Sequence, residues 1–241
     1  MRRALLWLPC FLFITPQPIW PSSADTLDTA DGTLRITPIK HASLMLEFKG
    51  KVIHVDPWSE GNYAGLPKAD LILITDIHPD HLDLGRIMEL SKPVTRILAP
   101  SAALGSLADA TAISNGEKRT FEGIQIEAVP MYNMQRGPSA GKLYHDKARG
   151  NGYVLTLGSR QLYISGDTEC IPEMKALQSI DVAFVCMNLP YTMPPEEAVG
   201  CIRAFHPKIV YPYHYGKSDL KGFIDALKSD PTIEVRLRNW S

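Results

Sequence analysis

Thr75-Asp76-Ile77-His78-Pro79-Asp80-His81 follows the apolar run Leu71-Ile72-Leu73-Ile74 without a break, and this junction decides how the rest of the chain is read. A short, continuous apolar segment is the pattern of a strand covered on both faces, which predicts a strand over 71–75. Such a strand carries the chain to a sheet edge, where the turn gathers Asp76, His78, Asp80 and His81 into one small volume. Imidazole and carboxylate together suit zinc, manganese or iron better than magnesium or calcium. A solvated acidic turn with two incidental histidines is the competing reading.

β patterns are expected over 34–39, 43–48 and 51–55, the last two joined by Lys49-Gly50 as a tight hairpin would be. Further strands are expected over 96–99, 125–129, 153–157, 161–165, 182–186, 209–211 and 233–237. Helical stripes alternate with them in the second half. Leu220, Phe223, Ile224 and Leu227 follow Ser218 as an expected N-cap, and Ala198, Val199, Ile202 and Phe205 follow Pro194, Pro195, Glu196 and Glu197, which suit a first turn. Met174 and Leu177 mark a shorter helix. Residues 133–152 carry no apolar period and read as a long surface loop of the kind that often serves function.

The 241 residues are 45% hydrophobic and 21% charged, which excludes disorder, collagen and coiled coil and leaves a globular chain with a substantial core. Twenty-five Lys and Arg against 26 Asp and Glu give a net charge of -1, and no basic patch speaks for nucleic acid. Arg2 and Arg3, the apolar run from Ala4 to Ile14, and Ser22-Ser23-Ala24 form the three parts of a secretory signal over 1–24, followed by one domain over 25–241. A short membrane anchor is the alternative. The signal reading places the protein in the periplasm or outside the cell, with no membrane span once the signal is removed. Cys170, Cys186 and Cys201 then allow one bridge without fixing the pair, Cys186 reading as a small core residue.

On these motifs the chain resembles the metallo-β-lactamase-fold hydrolases. Asp76-Ile77-His78-Pro79-Asp80-His81 is similar to the family's His-x-His-x-Asp-His turn with Asp in place of the first His. Tyr163-Ile164-Ser165-Gly166-Asp167-Thr168 resembles its strand-Gly-Asp-Thr element, and Tyr211-Pro212-Tyr213-His214-Tyr215-Gly216 its late strand-end histidine. His54-Val55-Asp56-Pro57 and Lys40-His41-Ala42-Ser43 resemble two early elements, in the right order. The resemblance implies a four-layer αββα sandwich of α/β class with the site along one edge of the sheets. It implies two divalent ions, zinc first with manganese or iron as alternatives. Asp80, His81 and His214 would serve one, Asp167 would bridge, and Asp76, His78 and His145 would serve the other; His145 lies 22 residues before Asp167.

Asp76 departs from the family pattern. Carboxylate for imidazole adds a negative charge and either shifts metal preference or weakens one position, and a capping carboxylate beside a single ion is the other reading. Asp56 reads as a group that orients a ligand histidine, and His41 as either the same or a core histidine. His54 and His206 read as structural, and Tyr191, Asn188 and Tyr132 as candidate substrate contacts. The implied reaction is attack by metal-activated hydroxide, with Asp80 or Asp167 handling the proton, on an ester, lactone, phosphodiester or related bond of a small molecule. The Gly166-Asp167-Thr168 form looks like the lactonase and phosphodiesterase branch rather than the β-lactamases. The rival is a metal-binding sensor, carrier or scaffold without turnover.

Overall fold

The computed structural model describes residues 24–240; the expected signal, Ala24 excepted, lies outside the described residues. Two seven-stranded sheets follow the chain in order. The first holds β1 (Asp25–Thr29), β2 (Gly32–Lys40), β3 (Ser43–Phe48), β4 (Lys51–Val55), β5 (Leu71–Leu73), β6 (Arg96–Ala99) and β7 (Thr111–Ala112). The second holds β8 (Lys118–Phe121), β9 (Ile124–Met131), β10 (Gly150–Leu157), β11 (Arg160–Ile164), β12 (Val182–Cys186), β13 (Ile209–Tyr213) and β14 (Glu234–Val235). In each sheet the first three pairings are antiparallel and the last three parallel. The two halves therefore repeat one topology.

Parallel neighbours need crossovers, and helices supply most of them: α1 (Leu84–Leu90), α2 (Pro172–Lys175), α3 (Pro195–Phe205) and α4 (Leu220–Leu227). Alternation along β5 shows the layering. Leu71 and Leu73 join the large core, whereas Ile72 turns to the other face and packs with Ile87 of α1. On the second sheet, Tyr163 of β11 meets Phe205 of α3 edge-on at 5.8 Å. The result is the expected α/β sandwich, two sheets between outer helices, with the first sheet covered by the seven-residue α1. Among the described residues no helix is long and apolar enough to cross a membrane.

Local chemistry explains where elements begin and end. Lys49 and Gly50 both take positive φ, the twist a two-residue hairpin needs. β5 stops at Leu73, short of the expected Thr75, because the N–H and hydroxyl of Thr75 are both given to the Asp56 carboxylate. The N-cap of α4 is Asp219, which accepts the N–H of Lys221, while the expected cap Ser218 donates its hydroxyl to the Met187 carbonyl. β14 keeps only two residues of the expected 233–237. β1, β7, β8 and α1 were not legible as periods: β1 and β7 are short and polar, and α1 has only Ile87 and Leu90 buried. Residues 133–152 are not wholly a surface loop, since Asn133, His145 and Asn151 are buried and β10 begins at Gly150.

Trp240 locks the sheets together near the chain end. Its ring lies edge-on to Phe184, Tyr211 and Tyr213 of the second sheet, and its indole N–H donates to the carbonyl of Ser43 in the first. Its carbonyl accepts the N–H of His41 at 2.6 Å. Cys170 is bonded to Cys201 in α3, and Cys186 is buried and free. The bridge closes a segment with a sequence separation of 31. By chain entropy such a loop contributes about 3–4 kcal/mol. Reduction, or the Cys170→Ala/Cys201→Ala variant, should lower the melting temperature by roughly 10 °C in calorimetry; an unchanged melt would mean the bridge adds nothing.

Candidate metal centre

Asp56 follows β4 directly, with φ of +44°. Its carboxylate is fully buried and accepts the Thr75 N–H (2.7 Å), the Thr75 hydroxyl (2.5 Å) and His81 Nδ1 (2.8 Å). Burial raises the Asp56 carboxyl above its ordinary range, against the pull of His81. Because Nδ1 of His81 is committed to Asp56, its Nε2 is left to face the cleft, 3.4 Å from Asp167 Oδ2 and 3.7 Å from Asp80 Oδ2.

The same device fixes His145. Asn133 Oδ1 accepts both the backbone N–H (2.9 Å) and Nδ1 (2.6 Å) of His145, which turns Nε2 toward Asp167 Oδ2 at 3.2 Å. Asn133 is itself held through its amide by Glu169 and the Tyr191 carbonyl. Glu169 also accepts the N–H groups of Met134, Gln135 and Arg136. A buried carboxylate therefore organises the loop in place of an apolar stripe.

His214 follows β13 at φ of +46°, its N–H on the His41 carbonyl and its Nδ1 3.3 Å from the Asn188 amide. Nε2 lies 3.3 Å from Asp167 Oδ1 and 3.5 Å from Asp80 Oδ2. The His41 ring lies against that of His214, tilted by 39° with centroids 3.7 Å apart, and reaches Asp80 Oδ2 with Nε2 at 3.2 Å. Burial lowers the His81 imidazole, but the charges of Asp167 and Asp56 push it the other way, well above its usual range. The His214 and His81 charges likewise overcome burial and keep Asp167 ionised well below the usual carboxylate range.

One feature of this cluster bears directly on a metal. Nε2 of His81, His145 and His214 and Oδ1 of Asp167 are all buried without a hydrogen-bond partner, and all four belong to the one cluster. Leaving such atoms unpaired is costly unless a ligand takes them. A divalent cation fits: the donor set is imidazole and carboxylate, and His81, Asp167 and His214 offer ligand atoms within 4.8 Å of one another.

Asp76, His78 and His145 form another such group. Asp76 Oδ2 is 2.9 Å from His78 Nδ1 and 3.8 Å from His145 Nε2. Arg149, which the sequence reading overlooked, holds Asp76 with two parallel bonds, Nε to Oδ1 at 3.1 Å and Nη2 to Oδ2 at 2.8 Å. Burial alone would raise the Asp76 carboxyl; the His78 hydrogen bond and the charges of His81, Arg149 and His145 bring it down to about 2. The signal for Arg149 was the unmatched carboxylate at position 76, which demanded a cation from a loop that also holds Arg136, Lys142 and Lys147.

Of the expected substrate contacts, Tyr191 is 47% exposed and meets Tyr144 edge-on. Asn188 instead faces His214, an orienting place. Tyr132 is nearly buried, its hydroxyl donated to Glu173 and its ring under Lys147, so it is a packing residue because its polar end is already engaged. His54 is buried against the Pro67 carbonyl and His206 ends α3 in the left-handed region, both outside the cluster.

A family model described as "Beta-lactamase superfamily domain" matches residues 35–214. The UPF0173 metal-dependent hydrolase of Pelotomaculum thermopropionicum is 28% identical over 225 residues, covering 85% of this chain and 96% of the relative. That of Thermococcus onnurineus is 31% identical, covering 68% and 77%. The crystal structure of a candidate metal-dependent hydrolase from Parabacteroides distasonis is 45% identical, with a TM-score of 0.86 over 92% of this chain and all of the other.

The buried pairing of Asp76 generates a pH-dependent stability. The carboxyl lies at about 2 in the fold against an ordinary 3.8. A depressed carboxyl stabilises above its unfolded value and loses that contribution as pH falls through the folded one. Asp76→Asn should therefore cost about 2 kcal/mol near neutral pH, and the gap in urea midpoints between it and the parent should close as pH drops from about 4 to about 2. A gap independent of pH would contradict the pairing.

Proposed function

The chain belongs to the beta-lactamase superfamily and is a metal-dependent hydrolase, and on that premise we propose that Asp80, His81, Asp167 and His214 hold its catalytic ion. The convergence of unpartnered His81 Nε2, His214 Nε2 and Asp167 Oδ1 is the observation that carries this reading. When bound, a divalent ion of the zinc, manganese or iron type supplies a Lewis acid that acidifies water and polarises the bond to be cleaved.

The protein's own groups do the rest. Asp56 and Asn188 fix the rings of His81 and His214 from behind. Asp167 and Asp80 present carboxylate oxygens that can accept the proton of an attacking water. Asp80, 27% exposed in its side chain, does so beside His41 Nε2, which is partly exposed and gives that proton a route to solvent. Tyr191, open at the surface, is the aromatic contact for a small substrate. The substrate class we propose is a small ester, lactone or phosphodiester, on the strength of the Gly166-Asp167-Thr168 element. We further propose export, supported by the basic and apolar leader pattern and by the Cys170–Cys201 bridge, since bridges persist in oxidising compartments.

Asp167→Ala should abolish hydrolysis across a panel of lactone, ester and phosphodiester substrates, a fall of at least about 100-fold; retained turnover on any substrate would refute the assignment. Asp56→Asn should leave the ligands in place but weaken metal affinity by about 10–100-fold in competition with a chromophoric chelator. Mature protein recovered from the exported fraction should begin at Asp25 on N-terminal sequencing.

A further inference from the structure

Asp76 is the carboxylate that sets this site apart from an all-histidine arrangement, and its neighbours already account for its charge. Both of its oxygens are taken by Arg149, Oδ1 by Nε at 3.1 Å and Oδ2 by Nη2 at 2.8 Å. Oδ2 also faces His78 Nδ1 at 2.9 Å. Arg149 Nη2 comes within 3.5 Å of His78 Nε2 as well. A guanidinium only donates, so Nε2 of His78 presents its lone pair to Arg149 and the ring proton stays on Nδ1, given to Asp76. Two of the three side chains expected to hold a second ion are thus engaged with a cation and with each other.

The backbone makes this pairing a built one. Arg149 immediately precedes Gly150 of β10, and the next residue, Asn151, donates its N–H to the Thr75 carbonyl at 2.8 Å. A Cβ at Gly150 would stand 2.7 Å from that same carbonyl oxygen, so the start of β10 lies flush against the turn that carries Asp76. Arg149 Nη1 is tied to the Tyr144 carbonyl at 2.8 Å, which sets the guanidinium plane. Of the partnerless buried atoms in this cluster, those of Asp167, His81 and His214 lie at the other end; the second group contributes only His145 Nε2, and Asp76 has none. With Asp76 and His78 engaged, His145 Nε2 alone does not make up an ion's shell there while Arg149 holds Asp76. A divalent cation sharing that carboxylate would face a fixed positive charge across it.

The geometry assigns to the Arg149 guanidinium the place of a second metal cation: the chain carries one ion per molecule, at the Asp80, His81, Asp167 and His214 end, and Arg149 is the permanent positive partner of Asp76. This rests on the hydrolase reading above for the location of that one ion. Arg149 is a positioning residue, and the assignment is read from metal content rather than turnover.

Full-length mature protein is dialysed against Zn2+ and, separately, Co2+, freed of excess and analysed by plasma mass spectrometry. Wild type should hold about one ion per chain, and Arg149→Met, which releases Asp76 and His78, about two. The Asp76→His/Arg149→Met double variant leaves neither charge unpaired and should also hold about two, which guards against a folding defect in the single variant. The Co2+ wild type should give the spin-resonance spectrum of an isolated ion. Two ions in wild type, a coupled pair, or no gain in either folded variant would overturn the assignment while leaving the hydrolase reading intact. No ion in wild type would overturn both.

Discussion

The carboxylate of Asp56 sits at the junction where β4 ends and the turn after β5 begins, and it takes three donors at once: the Thr75 N–H, the Thr75 hydroxyl and His81 Nδ1. Removing water from a carboxylate is costly, and only this full set of partners makes the buried position tolerable. The arrangement has three consequences. β5 terminates two residues early, the turn from Asp76 to His81 is pinned to the neighbouring strand, and the imidazole of His81 has one nitrogen free in a defined direction. The candidate metal cluster is thus oriented from behind by a residue that never enters it.

The same logic recurs at each candidate ligand. Asn133 stands behind His145 and is held by Glu169; Asn188 stands behind His214; Trp240 holds the turn that carries His41. Cleft rings are oriented by polar atoms buried one layer deeper. At the start of the polar segment 133–152 the N–H groups of Met134, Gln135 and Arg136 converge on Glu169, a substitute for the apolar face the segment lacks.

Which of this was legible in the sequence divides along physical lines. Strands buried on both faces announce themselves as apolar runs, and the ligands at their ends follow by adjacency, so Asp76 to His81, Asp167 and His214 could be read from one dimension. Short polar elements could not, because β1 and β7 owe their form to pairing with neighbours rather than to a period of their own. Partners distant in sequence were equally hidden. Arg149 meets Asp76 across 73 residues, and Asn133 meets Glu169 across 36; the unmatched carboxylate at position 76 asks for a cation without saying which, and nothing local marks the second pair. The disulfide was available as a count but not as a choice; only the fold brings Cys170 and Cys201 within 5.6 Å at Cα.

The repeated topology of the two sheets carries one more implication. His41 and Asp56 follow β2 and β4 of the first sheet, while His145 and Asp167 follow β9 and β11, the strands in the same places of the second. The cleft thus draws paired contributions from two copies of one plan facing each other, and neither copy alone closes a coordination sphere. A cation held between them would grip both halves, and its binding energy would oppose any motion that separates the sheets. Metal affinity and the cooperativity of the whole molecule would then become one quantity, with the centre also the clasp.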